Sequence, residues 1–324
     1  MATVLVTGGA GYIGSFTRRA LEAAGHRSVT LDNLSTGHRE FVDGDIVIGD
    51  TRDGAQLRRI LAERRIDAVI HFAASALARQ SVAQPDIFYD NNVNGCLALL
   101  EACRQARVMA FVFSSSCAIY GNPRYVPIDE DHPEDPISPY GRTKLVCEWL
   151  LRDWARAFGL RYAALRYFNA AGGAPDGSLG EWHDPESHLI PLAMTAAVSG
   201  RPLSIFGADL DTPDGTCVRD YIHVQDLARA HVLALDRLLA GGPPLALNLG
   251  TGIGHSIREV LASVERVTGR RVPAETAPAH PGDPPRLVAN ADRARDVLGF
   301  ACQWTDLDAI VASAWAFHRK IVGA

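Results

Sequence analysis

The sequence predicts an α/β fold built on a parallel sheet with helices on both faces, together with a smaller mixed α/β domain. Short strands that are apolar throughout alternate with helical stretches over the first half of the chain, a pattern typical of doubly wound sheets. A glycine-rich turn follows the first strand at 7–14. Residues 172–185 are rich in Gly, Pro and Asp, which indicates a loop between domains. We therefore predict a Rossmann-like domain over 1–170 and a second domain over 171–324, with segments returning to the first.

Each element follows from a local pattern. Strands are predicted at the apolar runs 4–6, 28–31, 46–48, 68–72, 110–113 and 160–166. Helices of the first half are predicted over 15–25, 56–64 and 91–106. Helices of the second half are predicted over 189–199, 224–240, 257–268 and 307–321. The apolar strands bounded by turn residues and the longer periodic stretches between them are the signals used.

Composition excludes several classes of function. The 324 residues are 47% hydrophobic and 21% charged, with a net charge of −5, which is globular and gives no electrostatic case for nucleic acid. No run of about 18 apolar residues occurs, so we expect no membrane span. Met1 leads directly into the strand-like run 3–7 without a charged region and a cleavage site, so we expect no secretory leader. The six cysteines form no C-x-x-C pair and the eleven histidines show no ligand spacing. Free thiols in a reducing cytoplasm and no metal are the expectations.

The glycine turn predicts a dinucleotide site. Gly8, Gly11 and Gly14 allow a tight turn, close approach of a pyrophosphate and close helix packing. Asp32 ends the second strand, where a carboxylate accepts both ribose hydroxyls and repels a 2′-phosphate, favouring NAD over NADP. An ordinary strand-end turn at Asp32 is the alternative. Asp50, after the third strand, is predicted to meet the adenine edge.

A serine, a tyrosine and a lysine form the predicted catalytic set. Tyr140 and Lys144 are four residues apart and so share one helix face. Lys144 is expected to lower the pKa of the Tyr140 phenol from about 10 toward the working range of an acid-base catalyst. Ser116 follows a strand end, where its hydroxyl can hydrogen-bond a substrate oxygen. A solvated tyrosine–lysine pair and a serine cap are the alternatives.

These motifs resemble those of the extended short-chain dehydrogenase/reductases, and within them the UDP-glucose 4-epimerases. The matching stretches are VLVTGGAGYIGS, LDNLSTG, IDAVIHFAA, YDNNVNG, FSSSCAIYG, SPYGRTK, RYFNAAG, HLIP, DGTCVRDYIHVQDLA and NLGTG. The resemblance implies bound NAD, a UDP-sugar substrate and a homodimer in which helices 91–106 and 144–157 pack across a two-fold axis. It also implies that Tyr140 carries the 4-hydroxyl proton, Lys144 binds the nicotinamide ribose and Ser116 orients the sugar.

The resemblance also implies the binding residues. Cofactor contacts fall on Gly8, Gly11, Tyr12, Ile13, Gly14, Asp32, Asn33, Ser35, Thr36, Gly37, Asp50, Thr51, Phe72, Ala73, Ala74, Asn91, Ser114, Tyr140, Lys144 and Phe168. Substrate contacts fall on Ser116, Tyr140, Asn169, His188, Leu189, Phe206, Arg219, Asp283 and Leu287. Arg219 suits a diphosphate clamp, because a guanidinium fork matches phosphate oxygens. A structural ion pair with Asp220 is its alternative.

Three positions depart from the family pattern, and three other functions compete. Ala76 and His280 stand where basic residues are common, and Leu287 occupies a position that gates room at the sugar C2. Epimerisation of a UDP-N-acetylhexosamine or a UDP-pentose is therefore an open alternative. A dTDP-sugar dehydratase is disfavoured, because Cys117 and Ala118 stand where that chemistry needs Asp and Glu. A non-catalytic NAD-binding protein is disfavoured by the retained tyrosine and lysine.

Overall fold

A seven-stranded parallel sheet forms the centre of the molecule. The structure, a computed structural model, describes residues 1–278 and 284–324. The strands of the central sheet are β1 (Thr3–Thr7), β2 (Arg27–Asp32), β3 (Ile46–Ile48), β4 (Ala68–His71), β5 (Ala110–Ser116), β6 (Arg161–Tyr167) and β10 (Leu245–Leu249). Their spatial order is β10-β6-β5-β4-β1-β2-β3, and every pairing is parallel. The predicted doubly wound parallel sheet is confirmed.

Alternating side chains of the strands fill two apolar layers. Val4 and Val6 pack into one layer and Leu5 into the other, because successive residues of a strand point to opposite faces. The first layer is covered by α1 (Tyr12–Ala23) and α8 (Val224–Leu239). The second layer is covered by α2 (Gly54–Glu63), α5 (Gly95–Ala106) and α6 (Pro139–Phe158). Burial on both faces explains why these strands are apolar throughout.

The second half of the chain builds a smaller core beside the sheet. Its helices α7 (Leu189–Ser199), α9 (Ile257–Thr268) and α11 (Leu307–Ile321) share one apolar cluster. The remaining strands are β7 (Asn169–Ala171), β8 (Leu203–Phe206), β9 (Val218–His223), β11 (Gly254–Ser256), β12 (Ala274–Ala277) and β13 (Arg286–Leu287). The remaining helices are α3 (Ala78–Ala83), α4 (Pro85–Phe88) and α10 (Asp292–Leu298). Because α8 and β10 lie in the layers of the central sheet, the domain division at residue 170 stays a prediction.

Capping residues account for most differences between predicted and observed helix bounds. Helix α1 begins at Tyr12, three residues before the predicted start, because Gly11 in extended conformation ends the turn there. Asp53 caps α2 by accepting hydrogen bonds from Ala55 N and Gln56 N, so this helix begins at Gly54. The predicted helix over 91–106 is divided into a π-helical segment, Tyr89–Asn94, and α5. No helix within the described ranges is long and apolar enough to cross a membrane.

Candidate active site

A cavity of about 530 Å³ opens at the carboxyl edge of the central sheet. The strand order reverses between β1 and β4, which is the switch point where doubly wound sheets bind ligands. Every residue predicted to contact the cofactor lines this cavity, from Gly8 to Phe168. The tertiary structure therefore brings together residues that span 160 positions of the chain.

The glycines of the turn are needed for two different reasons: contacts within the chain at Gly8 and Gly14, and space for a ligand at Gly11. Gly8 has φ +72°, and a Cβ there would lie 2.7 Å from Ala73 N. A Cβ on Gly14 would lie 2.2 Å from the Gly8 carbonyl oxygen, so the chain itself requires glycine at both positions. Gly11 differs, because its Cβ would meet only the Gly8 oxygen at 3.3 Å. Space at Gly11 therefore suits a ligand at the amino end of α1, where free N–H groups favour a phosphate.

Asp32 is held in place by the backbone around it. Its Oδ2 accepts a hydrogen bond from Ala10 N at 3.0 Å, and its Oδ1 accepts one from Leu34 N at 2.9 Å. Each carboxylate oxygen can accept a further hydrogen bond. The carboxylate is thus oriented at the end of β2 with capacity left for two ribose hydroxyls, which fits the predicted role in NAD binding.

Asp50 is engaged by a neighbouring arginine. Arg52 Nε and Nη2 donate to its two oxygens, each at 2.8 Å, and Asn33 Nδ2 donates at 3.2 Å. The hydrogen bonds from Arg52 hold the pKa of the Asp50 carboxyl well below its usual range. Asp50 therefore contributes an ion pair to the cavity wall, and its contact with the adenine edge stays a prediction.

Tyr140, Lys144 and Ser116 meet where α6 crosses the carboxyl end of β5. Ser138 caps α6 by accepting from Gly141 N, and Pro139 occupies the first turn. Lys144 Nζ lies 5.8 Å from the centroid of the Tyr140 ring and donates to the Ser114 carbonyl oxygen at 2.7 Å. Burial lowers the pKa of the Lys144 ammonium to about 8. The three predicted catalytic side chains all line the cavity.

The structure contradicts the expected effect of Lys144 on the Tyr140 phenol. Burial, followed by the nearby Tyr167 hydroxyl, raises the pKa of Tyr140, and only the hydrogen bond with Ser116 lowers it. The reason is geometric, since the ammonium is directed at the Ser114 carbonyl rather than at the phenol oxygen. Ser116 also caps the following turn by accepting from Ala118 N at 3.2 Å, so the alternative role of this serine is present as well.

Two residues near the catalytic set were missed by sequence reasoning. Tyr167 ends β6, lines the cavity and hydrogen-bonds through its hydroxyl to Ser114 Oγ. Asn92 is buried, accepts from Ser75 N at 2.7 Å and donates to Thr143 Oγ1 at 3.0 Å. It thereby joins the loop after β4 to α6 beside Lys144. The carboxyl-end position of Tyr167 was an available signal, whereas no local pattern distinguishes Asn92.

The predicted substrate residues fall into two groups. Asn169 and His188 line the cavity together with Ser116 and Tyr140. Leu189, Phe206, Arg219 and Leu287 are not among the described residues that line it. Leu189 opens α7, and the guanidinium of Arg79 lies 4.7 Å from the centroid of the Phe206 ring. Asp283 and His280 lie outside the described residues.

Arg219 lies on β9, close to the carboxyl end of β5, where Ser116 is located. Its Nη1 donates to the carbonyl oxygens of Val218 at 2.9 Å and Pro285 at 3.5 Å. Burial raises the pKa of the thiol of Cys117, the residue after Ser116, and the charge of Arg219 opposes that rise. Leu287 pairs with Arg219 in the strand register and packs in the apolar cluster that contains Cys117. Tertiary structure thus brings both substrate-side residues next to the carboxyl end of β5.

The predicted alternative for Arg219, an ion pair with Asp220, is wrong. The Asp220 carboxylate accepts hydrogen bonds from Thr251 N and Gly252 N at 2.9 Å and from Ala289 N at 3.2 Å. These contacts hold the loop after β10, and they occupy the carboxylate on the other side of β9 from the Arg219 guanidinium. No carboxylate within residues 1–278 or 284–324 forms a salt bridge with Arg219.

A cluster of four side chains, three of which line the cavity (Glu181, His183 and His188), corrects the expectation that the histidines form no cluster. The potential ligand atoms of Glu181, His183, Glu186 and His188 lie within 4.8 Å of one another. The charge of Glu181 raises the pKa of His188 to about 10. Burial opposes the same change in His183, but the two carboxylates, 3.4 and 3.7 Å from its Nδ1, raise its pKa to about 9. Residues 181–188 form a loop. The spacing of these four residues in the sequence follows neither a helix nor a strand period, so it did not predict that they cluster.

A switch-point cavity with a glycine turn, an acidic strand end and a Ser–Tyr–Lys set defines a dinucleotide-dependent enzyme of the short-chain dehydrogenase/reductase type. The model of the NAD dependent epimerase/dehydratase family matches residues 4–250. The chain belongs to this family, as the sequence motifs predict.

Known relatives cover the chain from end to end. A UDP-glucose 4-epimerase of Rhizobium leguminosarum bv. trifolii is 53% identical over 320 residues, which cover 98% of each chain. The crystal structure of UDP-glucose 4-epimerase from Brucella ovis in complex with NAD has a TM-score of 0.95 and 53% identity, covering 98% of this chain and 99% of its own. The UDP-glucose-4-epimerase from Stenotrophomonas maltophila, with bound NAD and formylated UDP-arabinopyranose, has a TM-score of 0.96 and 40% identity, covering 100% of this chain and 99% of its own.

Proposed function

We propose that this protein is a UDP-glucose 4-epimerase, which interconverts UDP-glucose and UDP-galactose with bound NAD through a transient 4-keto sugar. The observation that carries the proposal is the single cavity that joins the glycine turn and Asp32 to Ser116, Tyr140 and Lys144. A dinucleotide that spans this cavity places its reactive ring at the acid-base set. The relatives that match the whole chain support the same activity.

The residues of the cavity fit NAD at both ends. Gly11 leaves room at the amino end of α1 for the pyrophosphate, and Asp32 presents oriented oxygens for the adenosine ribose. The buried ammonium of Lys144 lies where it can bind the nicotinamide ribose. NAD bound by these residues would supply the hydride acceptor and donor that the exchange at the sugar C4 requires.

Tyr140 carries the proton in both halves of the reaction. It removes the proton of the 4-hydroxyl group and later returns one to the 4-keto oxygen. Because burial raises the pKa of its phenol, the phenolate form needs positive charge at the phenol oxygen. Lys144, 5.8 Å from the ring centroid, supplies that charge by turning its ammonium from the Ser114 carbonyl toward the phenol. Ser116 donates a hydrogen bond to the same sugar oxygen, which keeps that oxygen within reach of Tyr140 while the sugar changes between alcohol and ketone.

The substrate side of the site is supported by four further side chains. Asn169 and His188 lie on the cavity wall, where they meet the sugar and the phosphates. Arg219 binds the diphosphate, since its guanidinium has carbonyl partners and no salt bridge to a carboxylate among the described residues. Leu287, next to it in register, limits the room around the sugar C2. Leu189 and Phe206 complete this side by resemblance to the family.

A second substrate class rests on the same site. Leu287 is of middle size, and a structural relative binds a formylated UDP-arabinopyranose, so UDP-pentoses and UDP-N-acetylhexosamines are the alternative substrates. Assays of UDP-galactose, UDP-N-acetylgalactosamine and UDP-arabinose side by side rank them. A higher kcat/KM for either alternative than for UDP-galactose would contradict the assignment of substrate.

The protein acts as a homodimer in the cytoplasm. Leu97 on α5 and Trp149 and Phe158 on α6 are apolar side chains with exposed fractions of 40%, 50% and 46%. Such a patch on two adjacent helices suits a two-fold interface with a second copy. Light scattering of the native protein should give twice the chain mass, and Trp149→Glu should give a monomer. A monomeric native protein would rule the dimer out.

The decisive experiment supplies purified protein with UDP-galactose and no added NAD. Formation of UDP-glucose supports an epimerase that retains its cofactor. Addition of NAD should restore turnover if the cofactor was lost during purification. No turnover under either condition favours a binding protein without catalysis, and a 4-keto-6-deoxy product from dTDP-glucose identifies a dehydratase instead.

A further inference from the structure

The loop between β7 and α7 folds four potential metal ligands around one point. His188 Nδ1 lies 2.7 Å from Glu181 Oε1 and 3.2 Å from Glu186 Oε1. His183 Nδ1 lies 3.4 Å from Glu181 Oε1 and 3.7 Å from Glu186 Oε2. The same ring nitrogen of both histidines therefore faces the same two carboxylates. We refer to Glu181, His183, Glu186 and His188 as the His/Glu cluster.

The nitrogen–oxygen distances of the cluster bracket those of a tetrahedral ion. Ligand bonds of about 2.0–2.1 Å to Zn²⁺ place neighbouring donor atoms about 3.3 Å apart in a tetrahedron. The distances from the two Nδ1 atoms to the carboxylate oxygens are 2.7 to 3.7 Å, and His183 faces Oε2 of Glu186 whereas His188 faces Oε1. The four potential ligand atoms lie within 4.8 Å of one another, so an ion between them draws the more distant pairs together.

One ligand atom of the cluster lacks a partner of its own. His183 Nδ1 is buried, yet it makes no hydrogen bond within the described structure. It is directed between two carboxylates, and the Glu181 side chain is only 8% exposed. For Glu181 and Glu186, the salt-bridge partners within residues 1–278 and 284–324 are the two histidines alone. A buried nitrogen and buried carboxylate oxygens without arginine or lysine suit a cation.

The backbone of the loop holds the cluster in place. Trp182, between two ligands, stacks on His38 with ring centroids 4.0 Å apart, and its carbonyl oxygen lies 2.9 Å from His38 Nε2. At the other end, Glu186 Oε1 accepts from Ser187 N at 2.7 Å and from His188 N at 2.9 Å. Supporting contacts of this kind orient ligands before a metal arrives.

We propose that the His/Glu cluster binds one divalent transition-metal ion, with Zn²⁺ as the ion that best fits its donors. Two imidazole nitrogens and two carboxylate oxygens suit zinc and its neighbours in the first transition row, whereas Mg²⁺ prefers oxygen ligands and octahedral geometry. Four protein ligands make a closed site, which is typical of structural zinc. The ion stiffens the cavity wall that ends at α7. Because His188 also stands on the substrate side of the proposed reaction, metal uptake rather than turnover reports on this site.

Metal uptake by the full-length chain, without an affinity tag and stripped with a chelator, tests the proposal. Titration with Zn²⁺ should give one ion per chain, and the uptake should persist in excess Mg²⁺. Co²⁺ should give the intense visible bands of a tetrahedral site. A hundredfold excess of Zn²⁺ over Kd should raise the Tm by about 5 °C. Displacement of Zn²⁺ by Mg²⁺ would contradict the assignment of the ligands.

Variants locate the site. His183→Ala and His188→Ala should each weaken Zn²⁺ binding at least tenfold, whereas His26→Ala should leave it unchanged. His26 is the matched control, because it also pairs with one carboxylate, Asp236, at 2.9 Å. Uptake well below one ion per chain, or uptake insensitive to both cluster variants, would overturn the proposal. Where a variant fails to fold, the Co²⁺ spectrum of the unaltered chain decides, and an octahedral spectrum refutes the site.

Discussion

Lys144 Nζ donates a hydrogen bond of 2.7 Å to the backbone carbonyl oxygen of Ser114. This contact joins α6 to the end of β5 and holds the ammonium between two aromatic rings. The centroids of Phe113 and Tyr140 lie 5.0 and 5.8 Å from Nζ. A side chain that is 3% exposed therefore carries a charge without a carboxylate in contact with it among residues 1–278 and 284–324. In the proposed mechanism this charge serves the cofactor and the phenol, and it destabilises the folded state.

Lys144→Met should change how stability depends on pH. The pKa of Lys144 falls from 10.5 to about 8 on folding because burial disfavours its charge. Between these values the unfolded chain binds more protons, so the contribution of Lys144 to stability rises as pH increases from 8 to 10.5. Below pH 8 the full penalty remains. Relative to Lys144→Met, the native protein should gain about 2–3 kcal/mol between pH 7 and pH 10.5, measured by urea unfolding. An unchanged difference would contradict the buried charge.

Tyr140→Phe should separate proton transfer from cofactor binding. The variant keeps the ring, which packs edge-on to Phe88 with centroids 6.5 Å apart, and loses only the hydroxyl group. We expect kcat to fall about 10²–10⁴-fold, with the NAD content and Tm close to native. Steady-state kinetics and the NAD absorbance of the purified protein measure both. Near-native turnover would exclude Tyr140 as the proton carrier.

Gly11→Ala should weaken NAD binding, whereas Gly14→Ala should lower thermal stability. A methyl group at Gly11 meets only one oxygen at 3.3 Å, whereas at Gly14 it lies 2.2 Å from the Gly8 oxygen. Gly11→Ala should therefore fold with a Tm near the native value and bind NAD at least tenfold more weakly, since the methyl group enters the pyrophosphate position. Gly14→Ala should lower the Tm. Calorimetric titration with NAD and thermal unfolding distinguish the two, and native NAD affinity in Gly11→Ala would place the pyrophosphate elsewhere.

The buried ion pair between Glu148 and Arg166, which lies beside Ser115, should stabilise the fold. Glu148 accepts hydrogen bonds from Arg166 Nε at 2.9 Å, from Arg166 Nη2 at 2.6 Å and from Ser115 Oγ at 2.6 Å. Arg166→Met leaves the Glu148 carboxylate buried without this partner and should cost about 3–5 kcal/mol of unfolding free energy. In the double variant with Glu148→Gln, the loss should be smaller than the sum of the single losses. Urea unfolding of all four proteins measures the coupling, and additive losses would mean that the pair is not coupled.

The sequence by itself determined the parallel sheet, the glycine turn and the catalytic set, because each depends on short-range patterns. Apolar runs mark strands buried on both faces. Gly8 is required by its positive φ and Gly14 by its close approach to the Gly8 oxygen. An i, i+4 spacing places Tyr140 beside Lys144. Asp32 and the glycine turn lie at strand ends that meet at one edge of the sheet, and the other predicted cofactor positions followed from the family resemblance.

Only the tertiary structure decided the remaining features, because they depend on burial and on the paths of loops. The direction of the Lys144 ammonium follows from packing against the end of β5, and burial in the folded chain raises the pKa of Tyr140. Tyr167 and Asn92 act across elements that are distant in the chain. The loop that gathers the His/Glu cluster has no periodicity, so folding alone brings its four side chains to one point.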